Sequence, residues 1–212
     1  MSHVAIVDYG INNIRSVRNA VDYCGFEPLI TGDPAAIDAA SHVILPGVGA
    51  FGDAMDKLRS RGLDGVLEQK VREKGKPFLA ICLGMQLLAR SSEEHSEDSV
   101  PHKGLGWLDA DVQRIRPNDP DLKIPHMGWN TVTKERDHPV LAGIRPGNLA
   151  FYFVHSFAMH CNEASDVVGY AEYGQPITSI VARDNLVATQ FHPEKSQDSG
   201  IELLGNFLRW NP

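Results

Sequence analysis

The sequence predicts an α/β fold: a central, mostly parallel sheet with flanking helices and a more antiparallel C-terminal portion. Three features predict it. Short, fully apolar runs alternate with amphipathic segments as far as Arg90; shorter strands with alternation or turns between them follow from Leu108; and one apolar run ends on a cysteine among small residues.

Val4-Ala5-Ile6-Val7 reads as the first strand, and Ile14, Val17, Val21 and Cys24 fall at helical spacing before Gly25. Glu27 to Ile30 reads as a second strand. Asp33-Pro34 pairs an N-cap residue with a first-turn proline, and His42 to Leu45 is a third strand stopped by Pro46-Gly47. Leu63 to Lys74 is helical, Phe78 to Ile81 is a fully apolar strand, and Met85 to Arg90 is a further helix. The polar stretch Ser91 to Lys103, with Glu93, Glu94, Glu97 and Asp98, reads as a solvated surface loop without a part in chemistry. Strands are then expected at Leu108–Ile115, Asn130–Thr133, Leu149–His155, Ile177–Arg183 and Leu186–Phe191. Ser199-Gly200-Ile201-Glu202 has capping-box spacing and leads Leu203, Leu204, Phe207 and Leu208 into a last helix.

The 212 residues are expected to form one domain, 1–212, since the length suits one compact unit. Hydrophobic residues at 42% and charged residues at 22% match ordinary globular usage and exclude disordered and collagen-like chains. A net charge of −7 supplies no general positive field, which argues against nucleic acid or an anionic membrane as partner. The longest nearly apolar run, Phe78 to Ala89, is too short to span a bilayer. Met1 to Val4 leads straight into a strand without signal-peptide features, so a cytoplasmic location is expected. Cys24, Cys82 and Cys161 have neither disulfide-framework nor zinc-ribbon spacing, so a cysteine that matters should act as a thiol.

Chemistry concentrates at Cys82. A strand that ends on a nucleophile and turns sharply into a helix presents that side chain at the carboxyl edge of a sheet. The helix N-terminus favours the thiolate, and the Leu83 amide would point to where an oxyanion develops. Ala80 and Gly84 are small enough for the tight turn. A buried structural cysteine is the bland alternative. His192, immediately after a strand, would be the general base and Glu194 the group that orients it. A metal site at His192 and Glu194 with His126 or His155 lacks a recognisable ligand spacing, so no metal is expected. Gly47-Val48-Gly49 after the third strand brings free backbone amides close to a ligand. Neither a P-loop nor a dinucleotide glycine pattern is present, so no nucleotide cofactor is expected.

Ile81-Cys82-Leu83-Gly84-Met85-Gln86 together with Phe191-His192-Pro193-Glu194 resembles the class I, triad-type, glutamine amidotransferases. Further motifs resemble, within that class, the glutaminase subunits of imidazole glycerol phosphate synthases. These are Asp8-Tyr9-Gly10, Leu45 to Phe51, Gly104 to Trp107, Pro125 to Asn130, Tyr152 to Ser156 and His192 to Ser196. The resemblance spans nearly the whole chain. It implies the class I amidotransferase fold and glutamine hydrolysis through a Cys82 thioester, with His192 shuttling the proton. It implies that ammonia passes to a β/α-barrel cyclase subunit in a heterodimer serving histidine biosynthesis. Gln86, His155, Ser156 and Phe157 would surround glutamine, with Leu83, Gly47, Val48 and Gly49 at the oxyanion hole. Asn12, Met127, Trp129, Tyr152 and Lys195 would face the partner, Met127 and Trp129 from a loop.

Three residues depart from the family pattern: Asn12 stands for a glycine, Ala80 for a glycine, and Phe157 for a frequent tyrosine. Other acceptors for the ammonia, a non-catalytic module and a cysteine peptidase are the alternative functions. A free subunit with a complete triad would waste glutamine, so the Gly47-Val48-Gly49 peptides are expected to stay misaligned until the partner binds.

Overall fold

A computed structural model describes residues 3–11, 14–95, 100–145, 147 and 149–212. Four parallel strands come first in the chain: β1 (Val4–Val7), β2 (Pro28–Thr31), β3 (His42–Gly47) and β4 (Phe78–Cys82). The helices between them are α1 (Ile14–Tyr23), α2 (Pro34–Ala39), α3 (Phe51–Ser60) and α4 (Leu63–Leu67), the last running on through a π-helical segment, Glu68–Glu73. After β4 come α5 (Leu83–Leu87) and two short strands, β5 (Ser91–Ser92) and β6 (His102–Lys103). Then follow β7 (Ala110–Arg114), β8 (His126–Lys134), β9 (Ala150–His155), β10 (Phe157–Cys161), β11 (Val167–Glu172), β12 (Pro176–Arg183), β13 (Leu186–Thr189) and α6 (Gln197–Arg209).

The main sheet runs in the order β2-β1-β3-β4-β13-β12-β11-β8-β9. Pairing is parallel from β2 across to β13 and antiparallel from β13 out to β9. This is the predicted division into a parallel and a more antiparallel portion. A second sheet of four strands, β10-β7-β5-β6, lies beside it.

The interior parallel strands β1, β3 and β4 are buried along their whole length because both faces are covered, whereas the edge strand β2 is half-buried. Val4 and Ile6 of β1 pack with Val17 and Val21 of α1 and with Leu203, Leu204 and Phe207 of α6. Ala5 and Val7 point the other way, into a core with Ile37 of α2, Phe51 and Leu58 of α3, and Val112 and Met159 of the second sheet. Asp33 caps α2 by accepting from the Ala35 amide, with Pro34 in the first turn, as its sequence signature predicts.

Several boundaries differ from the sequence expectation. Ser91 to Lys103 is not all loop, because β5 and β6 pair with each other and β5 lies parallel to β7. The helix expected over Leu63–Lys74 is α-helical only to Leu67, and the one expected at Met85–Arg90 begins at Leu83 and ends at Leu87. Pro46 and Gly47 belong to β3, for Pro46 sits opposite Ile81 and Gly47 opposite Cys82. The last helix starts at Gln197, which puts Ser199 inside it and removes the capping-box reading. Met127 and Trp129 lie on β8, in register with β9, and not in a loop. Asn12 lies outside the described residues.

Candidate active site

Cys82 closes β4 and carries a backbone φ of 55°, a conformation a non-glycine residue adopts only when its surroundings hold it there. The surroundings here are two glycines. A Cβ on Gly84 would lie 2.1 Å from the Leu45 carbonyl oxygen, and one on Gly47 would lie 2.3 Å from the Gly84 amide nitrogen. The end of β3 therefore packs backbone to backbone against the turn after Cys82. Tyr9, fully buried, donates from its hydroxyl to the Pro46 carbonyl at 2.9 Å and pins that same end of β3.

His192 follows β13, which lies parallel to β4, so the two strand ends bring thiol and imidazole together at one sheet edge. Its Nδ1 is 2.8 Å from Glu194 Oε1, and both side chains are buried. Burial alone would depress this imidazole, but hydrogen bonds to Cys82 and Glu194 outweigh it and push the pKa up to about 10. The His192 ring is thus set beside Cys82 and Glu194 in surroundings that favour its protonated form. The backbone of β9 clips this base in place: the His192 amide donates to the Tyr152 carbonyl at 2.9 Å. Ser196 Oγ donates to the His192 carbonyl at 2.6 Å and accepts from the Tyr152 amide at 3.0 Å.

In front of the thiol lies a cavity of about 240 Å³. Cys82, Leu83, Gln86 and His192 line it together with His155, Ser156 and Phe157, and so do Val48 and Gly49. These are residues the sequence singled out. Gly47 and Glu194 do not line this cavity; they stand behind it, Gly47 against the turn and Glu194 against His192. Lys195, expected at a partner face, lines the cavity. Glu94 also lines it and accepts from the Phe51 amide at 2.7 Å, so the charged stretch that reads as inert surface contributes a wall.

Sequence reasoning gives no role to two residues that contact the candidate site, Gln190 and Ser196. Gln190 is fully buried, its Nε2 3.8 Å from Cys82 Sγ and its Oε1 accepting from Gln86 Nε2 at 3.0 Å. Gln86 donates its other hydrogen to the Phe157 carbonyl at 2.9 Å. The available signal is an uncharged polar residue two places before His192, just after the apolar run Leu186-Val187-Ala188.

Among the described residues no group of three His, Cys, Asp or Glu side chains is arranged to hold a metal ion. No described helix is long and apolar enough to cross a membrane.

The model of the class-I glutamine amidotransferase family matches residues 5–210. The chain belongs to that family. Among curated proteins it is 68% identical over 212 residues to imidazole glycerol phosphate synthase subunit HisH 2 of Nitrobacter winogradskyi, covering 100% of both chains. It is 46% identical to the HisH subunit of Rhodopseudomonas palustris, covering 99% of each. Of solved structures, PurLQS from Thermotoga maritima superposes with a TM-score of 0.73 at 19% identity, over 98% of this chain and 97% of that one. At that identity the likeness speaks for the amidotransferase fold alone.

On the outer face of the amidotransferase sheet, Met127 is 63% exposed and Trp129 51% exposed. Trp129 meets Tyr152 edge to face, with ring centroids 6.4 Å apart, across the β8–β9 pair. Alternate residues of β8, His126 among them, point inward instead.

Proposed function

We propose that Cys82, His192 and Glu194 form a catalytic triad that hydrolyses the side-chain amide of glutamine and releases ammonia for a partner. The chain is a glutaminase subunit of imidazole glycerol phosphate synthase acting in histidine biosynthesis, a reading supported by identity along the full length with curated subunits of that name. The observation that carries the triad is the buried pair of Glu194 and His192, 2.8 Å apart, with His192 and Cys82 together in the lining of the cavity.

The Cys82 sulfur, as thiolate, attacks the amide carbon, and His192 delivers its proton to the departing ammonia. Water then attacks the thioester with His192 as base, and glutamate leaves. The Leu83 amide and the Gly47-Val48-Gly49 backbone stabilise the oxyanion. Gln86, His155, Ser156 and Phe157 surround the substrate, and Glu94 offers a carboxylate to its α-ammonium.

The partner is the cyclase subunit, a β/α barrel, in a heterodimer with this chain. There ammonia reacts with a phosphoribulosyl formimino carboxamide ribotide to give imidazole glycerol phosphate and aminoimidazole carboxamide ribotide. Met127, Trp129, Tyr152 and Lys195 face it, an assignment supported by the exposed apolar pair on β8. Docking aligns the Gly47-Val48-Gly49 peptides and so switches on hydrolysis. One domain, residues 1–212, carries the activity in the cytoplasm.

Glutamate release by wild type and Cys82→Ala, each with and without the cyclase subunit carrying its ribotide, tests this. Activity confined to wild type with the liganded partner is the expected result. Activity that survives the loss of Cys82, or that ignores the partner, refutes the triad or the pathway respectively.

A further inference from the structure

Two buried histidines, His126 and His155, have no step in the hydrolysis, yet they form a hydrogen-bonded line from β8 to the cavity. His155 Nδ1 is 2.8 Å from the Phe157 carbonyl, and its Nε2 is 2.9 Å from His126 Nδ1. His126 Nε2 is in turn 3.2 Å from Asn130 Nδ2.

Both ends of this line are fixed by backbone groups, and that determines every proton in it. A carbonyl oxygen only accepts, so His155 carries its proton on Nδ1. At the other end Asn130 Oδ1 accepts from the Thr131 amide at 2.8 Å, and its Nδ2 donates to the Glu172 carbonyl at 2.8 Å. The amide of Asn130 is thereby oriented with its nitrogen toward His126 Nε2, which must accept. His126 therefore also carries its proton on Nδ1 and donates it to His155 Nε2. Neither ring has room for a second proton, because either imidazolium would set two donors face to face. Burial agrees, pushing His126 down to about 4 and His155 to about 3.

The line is also held laterally. The His126 ring stacks between Phe153 and Tyr173, with centroids 4.7 and 4.0 Å away. Its far end, the Phe157 carbonyl, accepts from His155 and from Gln86, which contacts Gln190 beside Cys82. Its near end sits on the strand whose outer face carries Met127 and Trp129.

We infer that His126 is a positioning residue: as a neutral Nδ1–H donor it holds His155, and with it the Phe157 carbonyl and Gln86, in place at the proposed glutamine site, and it ties that wall to the exposed strand β8. The inference rests on the proposed glutaminase reading for its kinetic consequence but not for its protonation state.

Two measurements test it. Nitrogen NMR of the histidine rings in the wild-type subunit near neutral pH is expected to show the Nδ1–H tautomer for both His126 and His155. The second measurement is glutamine kinetics in the complex with the cyclase subunit. There His126→Phe, which keeps a stacked ring without the donor, is expected to raise KM for glutamine about tenfold, the scale of one lost hydrogen bond. His126→Asn, whose amide nitrogen stands where Nδ1 did, is expected to recover most of that loss. An Nε2–H tautomer on either ring overturns the inference, as does an unchanged KM in His126→Phe or a loss that His126→Asn does not restore. Should wild type itself fail to hydrolyse glutamine, the glutaminase reading falls while the ring tautomers still decide the hydrogen-bonded line.

Discussion

The two halves of the main sheet do different jobs with different materials. From β2 to β13 the strands are parallel and, apart from the half-buried edge strand β2, buried on both faces and almost wholly apolar, and two polar groups of the site, Cys82 and His192, come at or just after strand ends. From β12 to β9 the pairing is antiparallel, and the strands themselves carry polar groups: His126 and Asn130 on β8, and His155 on β9. A parallel sheet can place a reacting atom only at its carboxyl edge, because its interior strands have no wet face. An antiparallel strand has an inner and an outer face at alternate residues, so it can touch the site with one and a partner with the other. On the function proposed above, the first half supplies chemistry, and the second supplies position and contact.

Removing the nucleophile is the severest test of that division. Cys82→Ala and His192→Asn are each expected to cost at least about 10⁴-fold in glutamine turnover, and the double variant little more, because the two act as one unit. A measurement of kcat for the three variants in complex checks it. Strictly multiplicative losses would mean that thiol and imidazole work separately.

The parallel half should also be the less forgiving of added volume. In Gly84→Ala the new methyl would meet the Leu45 carbonyl at 2.1 Å, so β3 and the turn after Cys82 must separate. The expected cost is about 3 kcal/mol in chemical denaturation, at the upper end for overpacking, together with loss of activity. Gly65→Ala in α4 meets open space and is expected to stabilise by up to about 1 kcal/mol. Equal effects at the two glycines would remove close backbone packing as the reason for Gly84.

The same contrast decides how much could be read from the sequence. β1, β3, β4 and β13 were legible because strands covered on both faces are continuous apolar runs. β11 was not, because its register slips twice around Gly169 and breaks the alternation. β5 and β6, at two residues each, are too short to carry a period at all. Met127 and Trp129 read as loop since the alternation of β8 there is between histidine, glycine and asparagine on one face and exposed apolar residues on the other, the reverse of the usual sign. In the site, Cys82 was legible from its local strand-turn-helix pattern, and His192 and Glu194 from their short spacing after a strand. The joining of Gln190 to Gln86, of Ser196 to Tyr152, and of His126 to His155 depends on strands far apart in the chain, and no local pattern reports it.

A milder change separates contact from chemistry. Trp129→Ala removes an exposed ring from β8 and is expected to weaken cyclase binding by about 2 kcal/mol, roughly thirtyfold in Kd. Because the side chain is half exposed, the melting temperature of the isolated subunit should hardly move. Calorimetric titration with the cyclase subunit measures the first and a thermal melt the second. Unchanged affinity would move the docking face off β8.

The smallest effects are those of pH, and here the two halves should oppose each other. Folded His192 keeps its proton up to about pH 10, while the unfolded chain releases it near 6.5. Counted on the ring alone, the folded state holds this proton between those values, so the ring's own contribution to stability is complete below pH 6.5 and is lost as pH rises toward 10. His126 and His155 behave in the opposite sense, since burial holds their folded values at about 4 and about 3. Their contribution is complete above pH 6.5 and is lost as pH falls toward 3. Thermal melts across pH are therefore expected to trace a dome whose alkaline flank flattens in His192→Gln and whose acid flank flattens in His126→Asn, each by a few degrees. An alkaline flank that His192→Gln leaves unchanged would show that the imidazolium between Cys82 and Glu194 does not persist to high pH. The proton transfers assigned to His192 would then have to start from the neutral ring.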